Sequence, residues 1–312
     1  MASEIGNITG EDLRAPDWDR RLEGLIPASI RDKRVLVAGC GSVGSGVAMQ
    51  LARSGVRHFT LIDPDQVEWP NLTRTTYGHK DVGRSKVDAL SDGLTAVFPD
   101  IRVRTHGVEI QRLGAGLRCE FESADLIIAA ADSPAANGYI DRHCYALGKT
   151  VLFIGLYRGA KGGEAVMVRP GSTPCFNCST GRVRQLSREL GTAGAVREQR
   201  DYGTNRLLAE VALGPDIHFV CNASAKLALS LLLQGDAGSP LRDFAARQLA
   251  VGCNYVMFGM EPDYFIFPAM HAEAQGQYAF QSVWASTQSD AACEVCGDLA
   301  LREDPFPQVA NA

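Results

Sequence analysis

Three glycines and one acid near the start of the chain have the spacing of a nucleotide-binding turn. Gly39, Gly41 and Gly44 form the pattern G-x-G-x-x-G directly after the apolar run Arg34–Ala38. The first glycine of such a turn allows the tight bend, the second lets a phosphate approach the backbone, and the third lets helix and strand pack closely. Asp63 follows Gly44 by nineteen residues, at the place where an acid binds ribose hydroxyls. The motif predicts a nucleotide site, but alone it does not distinguish NAD from ATP.

Further polar residues follow where a dehydrogenase fingerprint would end. In chain order they are Asp65, Asn71, Arg74, Lys86 at the end of the run Gly83-Arg-Ser-Lys, and Asp132. Arg74 and Lys86 are cations suited to a triphosphate, and Asn71 can donate a hydrogen bond to it. Asp132 closes an apolar run, and a carboxylate at the end of a sheet strand, beside phosphates, is suited to holding Mg²⁺. Asp65 is open to two interpretations, a site acid or a turn-forming loop residue.

Together these motifs resemble the ThiF/MoeB/HesA superfamily of ubiquitin-activating-enzyme-like adenylyltransferases, over roughly residues 20–170. The superfamily pattern is G-x-G-x-x-G, D-x-D, N-x-x-R, G-x-x-K and a later D. The resemblance implies an ATP- and Mg²⁺-dependent enzyme that adenylates a carboxylate and releases pyrophosphate. By the same resemblance Asp63 binds the ribose, Asp132 binds the metal, and the phosphate ligands are Asn71, Arg74 and Lys86. An inactive subunit of a heterodimer would be expected to lack such residues.

The resemblance also implies a catalytic arginine from the N-terminal arm, often donated by the partner subunit of a dimer. Arg21, or its neighbour Arg20, fits this role by position. The segment between this arginine and Gly39 is shorter than the family leads us to expect. By the same resemblance, a homodimer is expected.

Two C-x₂-C pairs, Cys175/Cys178 and Cys293/Cys296, predict a second site. Each pair can present two thiolates to one ion, and two pairs complete a tetrahedral Cys₄ zinc site with no open position. The resembled family has this arrangement in many members, so we expect structural Zn²⁺. Reversible dithiol chemistry is the alternative, although it lacks a partner signature.

Five further cysteines, Cys40, Cys119, Cys144, Cys221 and Cys253, bear on whether a thioester forms. Ubiquitin-activating enzymes pass the acyl group from AMP to a cysteine thiol, and some simpler members carry that cysteine after the first zinc knuckle. Residues 179–220 contain no cysteine, so Cys221, at the far edge of this stretch, is the candidate acceptor. We expect this chain to carry out adenylation alone.

The elements that must position these residues follow from the hydrophobic pattern. Strands are predicted at Arg34–Ala38, 58–63, Arg102–His106, 125–133 and 150–159, alternating with helices near 42–54, 85–98 and 135–147. Such alternation predicts a Rossmann-like, doubly wound, mainly parallel sheet. Residues 162–169 are predicted to pair as an antiparallel strand, followed by a helix at Phe219–Leu233 and strands at Gln248–Phe258 and Tyr264–Phe267.

Four regions are expected. They are an arm (1–30), an ATP-binding half (31–170), a zinc knuckle with a basic crossover loop (171–218), and a C-terminal half with the second knuckle (219–312). The segment Arg182–Arg206 carries six arginines against three acids and is either that loop or a solvated linker. Its end, with the compact N-terminus, loosely resembles bacterial members of ubiquitin-like or sulfur-carrier pathways.

Composition narrows the function class. Hydrophobic residues make up 46% of the 312 and charged residues 21%, which are globular proportions. The net charge of −5 argues against a general nucleic-acid or membrane-surface binder. The polar N-terminus and the lack of long apolar runs favour the cytoplasm.

The expected acceptor is the C-terminal glycine carboxylate of a ubiquitin-like or sulfur-carrier protein. A peptide C-terminus, a carboxylate on tRNA, and a non-catalytic or NAD-binding role are the alternatives.

Overall fold

One mixed β-sheet forms the centre of the protein in the computed structural model, which describes residues 20–181, 212–261, 279–302 and 304–306. Within these ranges its strands are β1 (Arg34–Ala38), β2 (His58–Ile62), β3 (Arg102–His106), β4 (Leu126–Ala129), β5 (Val151–Leu156), β6 (Gly162–Val168), β7 (Cys253–Gly259) and β8 (Gln281–Ser286). The strand order is β3-β2-β1-β4-β5-β6-β7-β8. The pairs among β1 to β5 are parallel, and β6 to β8 add on as antiparallel strands.

Helices cover both faces of this sheet. They are α1 (Ser42–Arg53), α2 (Lys86–Thr95), α3 (Ala115–Ser123), α4 (Pro134–Ala146), α5 (Gly214–Leu232) and α6 (Arg242–Ala250). Short 3₁₀ segments lie at Ala28–Asp32, Trp69–Thr73, His79–Asp81, Ile110–Leu113, Arg158–Ala160 and Leu299–Leu301. None of the helices in the described ranges combines the length and the apolarity that a membrane crossing requires.

Side-chain alternation along the strands produces two separate cores. One face of the sheet packs with α1, α2, α5 and α6, and its core includes Val35, Val37, Leu90 and Val220. The other face packs with α3 and α4 through Leu36, Phe121 and Ile140. Because β1 is buried on both faces it is a continuous apolar run, as expected for a central parallel strand.

The order of the strands reverses direction between β1 and β4. The connection from β1 leads through α1 to β2 on one side, and the connection from β4 leads through α4 to β5 on the other. Open α/β sheets bind ligands outside the carboxyl ends of the strands at such a switch point. The predicted doubly wound sheet with antiparallel C-terminal strands is therefore confirmed, and its crevice lies where the glycine turn follows β1.

Element boundaries differ from the prediction mainly in the second half. The strand predicted from Gln248 begins only at Cys253, because residues 248–250 complete helix α6. Helix α5 begins at Gly214, earlier than predicted, with Pro215 in its first turn where a missing N–H costs nothing. The strand predicted at Tyr264–Phe267 and the basic segment Arg182–Arg206 lie outside the described residues.

Candidate functional site

The glycine turn is shaped by two backbone contacts that exclude side chains. Gly39 has φ +92°, and a Cβ there would lie 2.6 Å from the carbonyl oxygen of Ala130. A Cβ on Gly44 would overlap the carbonyl oxygen of Gly39. A Cβ on Gly41 would instead enter open space, with nothing within 4 Å. The turn is therefore packed tightly on its inner side and open at the glycine that a phosphate would approach.

The first turn of α1 offers backbone donors at this opening. Gly41 is the N-cap residue, no side chain caps the helix, and no acid lies in its first turn. Unpaired N–H groups and the positive end of the helix dipole favour an anion at such a position. The end of the glycine turn is thus suited to phosphate.

Asp63 is buried directly beneath the turn. Its Oδ2 accepts from the Cys40 N–H at 2.6 Å, and its Oδ1 accepts from the Asp65 N–H at 2.9 Å. Burial raises the pKa of Asp63 above its ordinary value, against the opposing effect of Lys86 and these two N–H groups. The carboxylate therefore fixes the glycine turn to the end of β2, in addition to any contact with a nucleotide.

Lys86 and Asp65 contact each other through both their backbones and their side chains. The Lys86 N–H donates to the Asp65 carbonyl at 2.9 Å, and the Lys86 Nζ lies 2.7 Å from Asp65 Oδ2. Burial opposes the charge on Lys86, but the hydrogen bond that Lys86 donates to Asp65 and the nearby Asp63 and Asp132 carboxylates leave its pKa raised overall. Lys86 is therefore a half-buried cation that interacts electrostatically with all three acids predicted for the site.

Tyr77, which the motif search missed, ties these parts together. Its hydroxyl donates to the carbonyl oxygen of Cys40 at 2.5 Å and lies 3.2 Å from that of Lys86. Burial raises the pKa of Tyr77 far above its ordinary range, so the hydroxyl stays a donor. In the sequence, the only sign of this role of Tyr77 was an aromatic residue within the polar loop after Arg74.

Asn71 and Arg74 belong to the loop that begins with the 3₁₀ segment Trp69–Thr73. The Oδ1 of Asn71 accepts from the Glu68 N–H at 2.9 Å, so its amide group remains as a donor within the part of the chain described. Arg74 follows this segment, and the Thr73 carbonyl before it lies so close to Gly214 that a Cβ there would approach to 2.8 Å. The loop is thus anchored on the N-terminus of α5, which packs against α1.

Asp132 lies beside the glycine turn, because the preceding Ala130 contacts Gly39. Its side chain is exposed, and helix α4 begins two residues later with Ser133 as N-cap. Asn137 on the first turn of α4 donates from Nδ2 to the Ala131 carbonyl at 3.1 Å, which orients the segment that carries Asp132. Among the described residues, the Oδ1 of Asn137 is buried and has no hydrogen-bond partner.

Arg21 is exposed and contacts none of these crevice residues in the described chain. The residues that follow it are anchored elsewhere, because the Leu25 carbonyl accepts from the Ser239 hydroxyl and Ser29 donates to Asp236. Ser239 and Asp236 both follow the C-terminal end of α5. Gly214, which lies near the Thr73 carbonyl, is instead the first residue of α5. The structure thus groups Asp63, Asp65, Lys86 and Asp132 around the glycine turn. Asn71 and Arg74 lie on the loop that contacts the start of α5, and Arg21 lies away from both.

The four predicted cysteines form a compact thiol cluster. Their sulfurs all lie within 4.8 Å of one another, with Cys175 and Cys293 at 3.7 Å and Cys178 and Cys296 at 3.5 Å. Four thiolates at about 2.3 Å from one Zn²⁺ would be separated by about 3.8 Å in a tetrahedron. The cluster can therefore hold a metal ion, with four protein ligands and no position left open.

Two residues, Asp141 and Arg302, support this cluster from outside. The buried carboxylate of Asp141 accepts from the N–H groups of Phe176 and Asn177 at 2.9 and 3.3 Å, which caps the helical residues 176–181. Arg302 donates to the carbonyl oxygens of Gly297 and Cys296 at 3.0 and 3.4 Å. Since Asp141 lies on α4, the helix that follows Asp132 also carries the support of the first knuckle.

Cys221, the candidate thioester cysteine, is buried against the first turn of α1. Its sulfur lies 3.7 Å from the carbonyl oxygens of Ser42 and Val43, and a Cβ on Gly46 would approach it to 2.9 Å. Burial raises the pKa of Cys221 to about 12. This cysteine packs α5 against α1 and is not available to an acyl group.

Sequence and structure comparisons agree on one family. The ThiF family model matches residues 22–257. The "Ubiquitin-like modifier-activating enzyme 5" of Dictyostelium discoideum is 30% identical over 160 residues, which are 48% of this chain and 42% of that protein. The protein of the same name from Drosophila persimilis is 33% identical over 161 residues, with the same shares. The matched region is therefore less than half the length of these relatives.

Among solved structures, E. coli MccB with ATP has a TM-score of 0.60 at 19% identity, covering 86% of this chain and 68% of that one. MccB with AMPCPP and MccA has a TM-score of 0.59 at 18% identity, with the same coverage. At these identities the likeness establishes the fold. The family match confirms the resemblance predicted from the motifs and supports the predicted class of enzyme, a ThiF-type adenylyltransferase. The chain belongs to the ThiF family.

Proposed function

We propose that this protein adenylates the C-terminal carboxylate of a ubiquitin-like or sulfur-carrier protein. A carboxylate oxygen attacks the α-phosphorus of ATP, the bond to the β-phosphate oxygen breaks, and pyrophosphate leaves with the electron pair. The observation that carries the proposal is the convergence of an open glycine turn, the half-buried cation of Lys86 and three acids at one end of the sheet. An NAD-binding protein has no need of that cation.

The phosphates are held by backbone and side-chain donors. The N–H groups at the start of α1 and the space above Gly41 receive the phosphate chain. Lys86 and Arg74 offset the negative charge that builds up on the phosphates, and the amide of Asn71 donates to them. Groups fixed in place before the reaction do this without reorganising, which is the main source of such catalysis.

The acids divide between nucleotide and metal. Asp63 binds the ribose, and Asp65 positions Lys86 next to it. Asp132 is exposed beside the glycine turn, and oxygen ligands of this kind suit Mg²⁺. When bound, Mg²⁺ would neutralise phosphate charge and orient the leaving group. Asn137 keeps the Asp132 segment in position.

The thiol cluster has a structural role in this proposal. A Zn²⁺ bound by four cysteines has no open position for substrate, so it would tie residues 293–296 to the helical residues after Cys175. Because Cys221 is buried, any thioester step would use another cysteine of this chain or a separate protein. A homodimer in which Arg21 reaches the partner's crevice fits its position away from this chain's own crevice.

The choice of acceptor is supported by relatives that are named as activating enzymes for ubiquitin-like modifiers. The test is ATP–pyrophosphate exchange with the purified chain, Mg²⁺ and a panel of ubiquitin-fold proteins ending in glycine, with Asp132→Ala as control. We expect exchange with one of them and none in the control. ATP binding without exchange for any of them would contradict the proposed acceptor and favour a peptide, a tRNA-linked carboxylate or an inactive subunit.

A further inference from the structure

A second charged site lies at the opposite end of the sheet. Arg34 on β1 is in register with His58 on β2, and His58 is in register with Arg102 on β3. Neighbouring strands lie about 4.8 Å apart, so three basic side chains stand side by side on one face. Arg34 and Arg102 are thus two positive charges about 10 Å apart, with His58 between them.

Arg104 adds a fourth basic side chain to this row. We call the row of Arg34, His58, Arg102 and Arg104 the basic ladder. Arg104 lies two residues beyond Arg102 and therefore on the same face. It is 56% exposed and its guanidinium lies 3.0 Å from Glu120 and 3.2 Å from the hydroxyl of Ser123. In the described chain, the side chains of Arg34, His58 and Arg102 form no ion pair with any acid. The nearby Asp125 carboxylate accepts from the backbone N–H of Arg34 at 2.7 Å.

These side chains surround a cavity of about 230 Å³. Its lining contains three arginines, one histidine, Thr60 and Ser123, and it contains no carboxylate. The last carbonyl groups of α3 lie next to this wall, where they would repel an anion. Two of them, those of Glu122 and Ala124, already accept from Lys149 Nζ at 2.6 and 3.0 Å. The Thr60 and Ser123 hydroxyls already donate to Glu120, at its Oε2 (3.3 Å) and its carbonyl oxygen (3.0 Å), so the arginine side chains provide the positive charge of the cavity.

The cavity is separate from the nucleotide crevice. Arg34 and Gly39 are five residue steps apart along β1, which is roughly 16 Å. Its volume is also smaller than the ~300–1,000 Å³ typical of sites for drug-sized ligands. Guanidinium groups bind phosphate through paired, charge-assisted hydrogen bonds. Two arginines on either side of a histidine span about 10 Å, which suits two linked phosphoryl groups.

We infer that Arg34, His58, Arg102 and Arg104 form a binding site for a small phosphoanion of the diphosphate class, distinct from the adenylation site. The bound anion offsets the positive charge of the three arginines and thereby stabilises the β1-β2-β3 end of the sheet. The inference does not depend on the proposed acceptor, because none of these residues belongs to the adenylation site.

The test uses inorganic pyrophosphate as the probe, followed by calorimetric titration. Because the nucleotide crevice also takes phosphates, the full chain first carries Arg74→Gln and Lys86→Gln. We expect this chain to retain one pyrophosphate site, and further substitution by Arg34→Gln and Arg102→Gln to weaken that site at least about tenfold. Adding Arg112→Gln and Arg247→Gln instead removes the same charge from exposed positions elsewhere and should leave the site intact.

A thermal measurement covers the case in which a multiple variant does not fold. Pyrophosphate should raise the melting temperature of the natural chain, and Arg102→Gln alone should reduce that rise. Equal stabilisation of both chains, or equal loss in the Arg112/Arg247 control, would overturn the inference. Tighter binding of a short RNA with the same dependence on Arg34 and Arg102 would overturn the assignment to a small anion.

Discussion

Lys86 Nζ and Asp65 Oδ2 lie 2.7 Å apart at the mouth of the nucleotide crevice. The cation suited to the phosphates is therefore held by an acid that belongs to the same motif set. Asp65 is 63% exposed and Lys86 only 12%, so the lysine side chain is the fixed partner. A nucleotide that enters this crevice meets a lysine already positioned and charged.

Replacing Lys86 tests this arrangement. Lys86→Gln should weaken binding of a non-hydrolysable ATP analogue by about 10- to 100-fold, the scale of one hydrogen bond to a charged group. Titration calorimetry measures the change. Lys80→Gln, at an exposed lysine nearby, serves as the control and should bind as the natural chain does.

The pH dependence of that binding follows from the same contact. Since the pKa of Lys86 is raised above 10.5, its charge persists as pH rises and is lost only above that value. The contribution of Lys86, the ratio between natural chain and Lys86→Gln, should stay constant from pH 7 to 9. A ratio that falls steadily across this range would contradict the assignment of a charged Lys86.

Gly41 and Gly44 should respond to alanine in opposite ways. Gly44→Ala forces a methyl group against the Gly39 carbonyl and should destabilise the fold by about 3 kcal/mol or more. Gly41→Ala places its methyl group in open space at an ordinary φ of −71°, so thermal stability should change little. It should nevertheless weaken ATP binding, because the methyl group occupies the space for phosphate. Unchanged ATP affinity in a folded Gly41→Ala chain would show that phosphate does not approach there.

The nucleotide crevice was largely predictable because its determinants are local in sequence. The turn from Gly39 to Gly44 carries its own backbone requirements, and β1 and β3 have the predicted bounds because their patterns are unambiguous. The four cysteines were predictable for another reason, since thiolate chemistry restricts what two C-x₂-C pairs can do. Because 114 residues separate the two pairs, the prediction also depended on the resembled family, in which such distant pairs share one ion.

Contacts between distant segments could not be predicted in this way. Asp141 meets Phe176 across 35 residues, and Tyr77 meets Cys40 across 37. The basic ladder depends on strand register, which no single strand reveals. Helix α6 was missed because only Ala245 in it is fully buried, so its pattern carries little hydrophobic signal.

Metal content is the direct test of the thiol cluster. Elemental analysis should find close to one zinc per chain, and Cys293→Ser with Cys296→Ser should abolish it. Metal binding contributes to folding free energy, so this variant should also unfold at a lower temperature. Cys253→Ser, outside the cluster, is the control for loss of a thiol. A metal-free chain that melts like the natural one would contradict the assignment.

Thiol accessibility tests the absence of an internal thioester. At pH 7.5 an alkylating reagent should modify the exposed Cys119 and leave Cys221 unmodified, because Cys221 is buried and its pKa is raised to about 12. Peptide mass spectrometry distinguishes the two sites. Rapid labelling of Cys221 in the folded chain would show that α5 separates from α1 and would reopen its candidacy as an acyl acceptor.

Arg74 provides the sharpest test of catalysis. It follows a 3₁₀ segment that is anchored on α5 through the Thr73 carbonyl, which fixes the backbone before it. Arg74→Ala should therefore fold normally and lower the exchange rate by at least about 10²-fold, the effect of losing one preorganised charge-stabilising group. Arg84→Ala removes a cation of the same type from the same loop, where it pairs with Asp81 and Asp92, and should exchange normally. Equal loss in both variants would mean that only the general positive field matters, and that Arg74 makes no specific contact with the phosphates.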